Sequence, residues 1–168
     1  SLLLLWMYSY KPVRLSYRGG GEFLQMAGVG FVLPLMGYYG QSGEILSFPW
    51  LLYAVLLPTN LASGMTTSLP DEPSDRASQK RTSSVLFGIS RNMILITLLN
   101  AGAIAVMVFI ALYTAILPFS LLLLLPLVLV IAQLPFIASR PGSKGLDKYV
   151  ALSVGCTLTI TAVMMLVF

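Results

Sequence analysis

Asp71 and Asp75, four residues apart and followed by Lys80 and Arg81, carry the most concentrated chemistry in this chain. On a helix, carboxylates at i and i+4 share one face. Such a pair can ligate a hard, oxygen-seeking cation. Magnesium fits best, because proteins hold it with one or two carboxylates plus substrate phosphates. Lys80 and Arg81 can meet those phosphates, lysine as a point charge and arginine through two oxygens at once. Residues 71–82 contain three of the six acidic residues and three of the ten Lys and Arg. The same residues also read as a solvated loop whose charges only set topology. Glu72, Arg76 and Lys80 form a neighbouring i, i+4 row that suits surface ion pairs worth roughly a few tenths of a kcal/mol each.

The elements that position these residues are apolar. The 168-residue chain is 57% hydrophobic and 10% charged, with a mean hydropathy of +0.88. A soluble domain is about 45–50% apolar and about 25% charged. The composition therefore predicts an integral membrane protein. Five stretches have the length a spanning helix needs, residues 23–40, 46–67, 92–113, 115–138 and 149–168. Barrel strands would be shorter and alternating, so the fold class is an all-α, multi-span helical bundle forming one domain over residues 1–168. Pro34, Pro58, Pro118, Pro126 and Pro135 predict kinks or unwound turns. Residues 68–90 form a polar loop, in which Pro70 and Pro73 allow a short helix from Asp71 or Glu72.

All ten basic residues fall on alternate connections. Lys11, Arg14 and Arg18 precede the first full span. Arg76, Lys80, Arg81 and Arg91 follow the second, and Arg140, Lys144 and Lys148 follow the fourth. The positive-inside rule makes that side, and with it the Asp71 loop, cytoplasmic. The net charge of +4 is thus a matter of topology, not of nucleic-acid binding. The absence of histidine excludes Ser-His-Asp chemistry and His-ligated metals. The lone Cys156 reads as a small packing residue. Trp6, Tyr8, Tyr10, Tyr17, Trp50 and Tyr149 read as interface anchors. Asp147 is expected to cap the last helix, and Glu22 to open the first full span as a favourable dipole contact. Residues 1–7 suit the end of a preceding helix, so the chain reads as a piece of a longer protein.

Two stretches resemble a known family. Residues 69–82 read L-P-D-E-P-S-D-R-A-S-Q-K-R-T. This is similar to the second aspartate-rich motif of the UbiA superfamily of intramembrane prenyltransferases, D-x-x-x-D followed by a stretch ending in G-K-R-T. Residues 16–22 read S-Y-R-G-G-G-E. They resemble a signature of the branch that prenylates 1,4-dihydroxy-2-naphthoate in menaquinone and phylloquinone synthesis. The resemblance implies a nine-helix fold of which this chain is the C-terminal half. It implies magnesium-dependent transfer of a polyprenyl group from polyprenyl diphosphate to an aromatic acceptor, in a bacterial inner membrane or plastid-type membrane. Asp71 and Asp75 would be the catalytic metal ligands. Lys80 and Arg81 would bind diphosphate, and Tyr17, Arg18 and Arg14 the acceptor or diphosphate.

The chain departs from the pattern at Gln79, where glycine is expected, and at Pro73. It has no N-D-x-x-D motif, the other half of the family's diphosphate clamp, so these residues alone are expected to be inactive. Two other readings compete. One is a non-catalytic subunit or transporter piece that uses the charged loop for docking. The other is a different membrane phosphotransferase, which lacks support because D-G-x-x-A-R is absent.

Overall fold

The structure, a computed structural model, describes residues 6–8, 10, 12–113 and 122–167. Residues 1–5, Lys11, the start of the fourth expected span and Pro118 lie outside the described residues. Every regular element described is helical. In chain order these are α1 (Leu15–Arg18), α2 (Gly21–Ser42), α3 (Tyr53–Ala77, preceded by a 3-10 turn, Trp50–Leu52), α4 (Ser83–Phe87), α5 (Ile89–Tyr113), α6 (Leu124–Gln133, continued by a 3-10 turn, Leu134–Phe136) and α7 (Lys144–Val167).

The all-α membrane class is as expected, but the spans are not equivalent. Among the described residues, three helices are long and apolar enough to cross a bilayer: Gly21–Ser42, Ile89–Tyr113 and Lys144–Leu166. The 25-residue α3 has the length without the uniform apolarity, because Thr59, Asn60, Ser63, Thr66, Thr67 and Ser68 interrupt it before the acidic motif. Of the fourth expected span, the described residues form the apolar helix Leu124–Phe136.

The acidic motif is not a loop with its own short helix. The helix that carries it begins at Tyr53 and runs through Pro58, Pro70 and Pro73 to Ala77. A bundle tolerates such prolines where neighbours satisfy the freed backbone. In α2 the expected local unwinding occurs. Residues Met26–Val32 form π-helical turns just before Pro34, whose ring crowds the preceding turn.

α3 is the hub, packed along α2, α5 and α7, while α6 packs on α7. Leu69 and Ile89 share one buried cluster with Met65, Met93, Leu146 and Tyr149. Val55 and Ala103 share the other with Met107, Cys156 and Ile160. α3 and α5 are therefore antiparallel, and the first cluster lies under the acidic end. Cys156 is a buried packing residue, as its type suggested. Helices in lipid associate through close packing and interhelical hydrogen bonds. Thr66 and Ser153 hydroxyls meet at 2.9 Å, joining α3 to α7. Tyr149 donates to the Met93 carbonyl at 2.6 Å and lies 2.9 Å from the Thr97 hydroxyl. Tyr149 is fully buried, so it is a latch between α5 and α7 and not an interface anchor. The α7 cap is Ser143, whose hydroxyl accepts the Leu146 N–H at 3.2 Å; Asp147 sits one residue further into the first turn.

Candidate functional site

The C-terminal turns of α3 and the start of α2 enclose a cavity of about 110 Å3. From α3 it is lined by Gly64, Thr67, Ser68, Asp71 and Asp75, spaced as one helical face. Glu22 and Gln25 line it from α2, Lys80 and Thr82 from the α3–α4 turn, and Tyr8 and Gly21 complete the lining. Asp75 is buried at 5% exposure, whereas Asp71 is exposed. Glu72 does not line the cavity. It binds Arg76 instead, at 2.6 Å to Nη2 and 2.7 Å to Nε. The expected i, i+4 row is thus real for this pair, but Lys80 leaves it.

Lys80 leaves because of how α3 ends. Gln79 N–H bonds the Arg76 carbonyl and Lys80 N–H the Asp75 carbonyl, the two bonds of a Schellman stop. That stop places Gln79 in the left-handed region, at φ 58°. The chain reverses, and Lys80 Nζ comes to 3.1 Å from Asp75 Oδ1. The Lys80 pKa is raised, chiefly by its hydrogen bond to Asp75 and further by the charge of that carboxylate; partial burial opposes the shift.

The two signature stretches meet here. Gly19, at φ 89°, ends α1. A Cβ at this position would lie 3.2 Å from the Arg81 carbonyl oxygen and 3.1 Å from Leu86. The Arg14 guanidinium stacks on the Tyr17 ring at 3.7 Å, and Lys80 Nζ is 5.8 Å from the same ring. Three residues on, Glu22 Oε1 accepts the Ser83 N–H at 2.7 Å and ties α2 to α4.

Of the residues expected at the site, Asp71, Asp75 and Lys80 come together in the cavity. Tyr17 and Arg14 stand beside it through Lys80. Arg18 and Arg81 are exposed and do not line it. Glu22, Gln25, Thr67, Ser68 and Tyr8 were not expected there. Helical spacing carried part of the signal, since Gly64, Thr67, Ser68, Asp71 and Asp75 follow i, i+3, i+4, i+7 and i+11.

Among the described residues, no three His, Cys, Asp or Glu side chains are arranged to hold a metal by themselves. Two carboxylates on adjoining turns still suit magnesium, which completes its shell with phosphate oxygens and water. An oxygen-only donor pair without Cys or His disfavours zinc.

The paired carboxylates and the lysine thus lie at one end of a bundle of apolar helices. The chain matches the UbiA prenyltransferase family over residues 1–154 and belongs to that family. Its class is therefore that of a membrane prenyltransferase. No curated protein and no solved structure matches it.

Proposed function

We propose that this chain transfers a polyprenyl group from polyprenyl diphosphate to an aromatic acceptor, with 1,4-dihydroxy-2-naphthoate favoured, in quinone synthesis. The observation that carries this reading is that Asp71, Asp75 and Lys80 line one cavity at the end of an apolar bundle. Asp71 and Asp75 would hold magnesium, which when bound supplies positive charge beside the departing diphosphate. Lys80 contacts a diphosphate oxygen, and Arg81, Arg18 and Arg14 contribute attraction for the anion from the rim. As the allylic C–O bond breaks, this positive field stabilises the developing negative charge on the leaving group. The allylic carbon is attacked by the electron-rich ring, and loss of a proton or carboxylate from the ring restores aromaticity. Apolar helices hold the isoprenoid tail and keep water from the cation.

The alternate basic connections support a cytoplasmic position for this end of the bundle. The family's first acidic motif, of the N-D-x-x-D kind, is absent from these 168 residues and would come from the N-terminal half of the same protein. The test is a prenyl-transfer assay on the whole enzyme in nanodiscs, with acceptors of the naphthoate, benzoate and homogentisate types. Magnesium-dependent prenylation of the naphthoate is expected. Turnover by the 168-residue chain alone, or turnover unchanged by EDTA, would contradict the reading.

A further inference from the structure

The cavity has a wall that diphosphate chemistry does not use. Glu22 and Gln25 face it from α2, while Asp71 and Asp75 face it from α3. Glu22 is only 7% exposed. Among the described residues it has no cation partner, and its one hydrogen bond is the Ser83 N–H on Oε1. A carboxylate accepts about four hydrogen bonds. Glu22 Oε2 makes no hydrogen bond among the described residues, which leaves it open to a donor in the cavity. Gln25 makes no side-chain hydrogen bond among the described residues. Gly64 leaves room for both side chains, since a Cβ there would come within 3.2 Å of Gln25 Oε1 and 3.5 Å of the Glu22 Cβ.

The charge of Glu22 decides what belongs there. Another anion, such as a diphosphate oxygen, would be repelled. A hydroxyl donor would be bound by a short, charge-assisted hydrogen bond. Gln25 both donates and accepts, so it suits a second polar group on the same small molecule.

We infer that Glu22 and Gln25 form the subsite for the prenyl acceptor and recognise it as a hydroxylated aromatic ring, the phenolic O–H donating to Glu22. This rests on the prenyl-transfer reading. It moves acceptor recognition from Tyr17, Arg18 and Arg14 to the far end of the same stretch. A phenol held by a carboxylate is also a more electron-rich ring, which favours attack on the allylic carbon.

The test uses the whole enzyme in nanodiscs, with 4-hydroxy-2-naphthoate, whose hydroxyl is remote from its carboxylate, and its 4-methoxy analogue as fluorescent probes. The wild type should bind the hydroxy compound about tenfold or more tightly than the ether, as expected for one hydrogen bond to a charged group. Glu22→Gln keeps an acceptor for the Ser83 N–H, and it should erase that discrimination. It should raise the acceptor KM and leave the KM for prenyl diphosphate unchanged. Gln25→Ala removes no interhelical bond and should raise the acceptor KM several-fold; it decides the matter if Glu22→Gln fails to fold. Normal turnover with unaltered acceptor KM in both variants would overturn this subsite alone. A wild-type enzyme that transfers no prenyl group would overturn the underlying reading with it.

Discussion

Lys80 is bound to Asp75 twice. Its backbone N–H donates to the Asp75 carbonyl at 2.9 Å, and its ammonium lies 3.1 Å from Asp75 Oδ1. The first bond fixes the chain reversal, and the second places a cation against the carboxylate that would help to hold a metal. Lys80→Met should therefore have opposite effects on two ligands. Prenyl diphosphate should bind about tenfold more weakly, as one charged hydrogen bond is lost. Manganese alone, followed by its EPR signal, should bind more tightly, because its competitor for Asp75 is gone. Weaker manganese binding in the variant would argue against that competition.

The same pair sets a pH window. The folded pKa of Lys80 is raised above the ordinary 10.5, first by its hydrogen bond to Asp75. A raised pKa makes the pair's contribution complete below the unfolded lysine value, with loss only as pH climbs through the higher folded value. The difference in melting temperature between wild type and Lys80→Met should be flat from about pH 6 to about pH 9. It should shrink only in strong alkali. A decline across neutral pH would mean that another group titrates in this contact.

Gln79 occupies the left-handed position of the α3 stop at φ 58°, where glycine is the usual residue. The cost of that conformation for an L side chain is about 1 kcal/mol, and glycine returns part of the gain through its larger unfolded-state freedom. Gln79→Gly should stabilise the protein by roughly 0.5 kcal/mol, seen as a small rise in melting temperature in detergent. Gln79→Val should lower it.

Gly30 lets α2 pack closely on α3. A Cβ there would sit 2.9 Å from the Asn60 Cβ, an atom that no side-chain rotation can move away. The helices would have to part, so Gly30→Ala should cost about 1–3 kcal/mol. Gly37 on the same helix has nothing within 4 Å. Gly37→Ala is the matched control and should be neutral or slightly stabilising. Equal melting temperatures for the two variants would remove the close approach from the account.

The sequence carried the helical class and the Asp71, Asp75 and Lys80 grouping, because hydropathy and i, i+4 spacing are local properties. It misjudged what depends on tertiary neighbours. Prolines suggested a break before Asp71, but α3 runs through them while packed against three other helices. Tyr149 resembled an interface anchor by position, yet the Met93 carbonyl and the Thr97 hydroxyl lie within its reach inside the bundle. Glu22 looked like an ordinary first-turn acid. Its site character comes from Ser83, distant in sequence, and from a cavity wall made by another helix. Arg81 shares its motif with Lys80, but the chain reversal turns only Lys80 inward.

The most direct test contrasts two acids on the same turn of α3. Asp75 faces the cavity, and Glu72 is paired with Arg76 outside it. Magnesium-dependent prenyl transfer by the whole enzyme would be measured for Asp75→Asn and Glu72→Gln. A fall of about 10²–10³-fold in kcat/KM is expected for Asp75→Asn, with Glu72→Gln within about threefold of wild type. Equal losses in both variants, or an active Asp75→Asn enzyme, would contradict the assignment of this cavity as the diphosphate site.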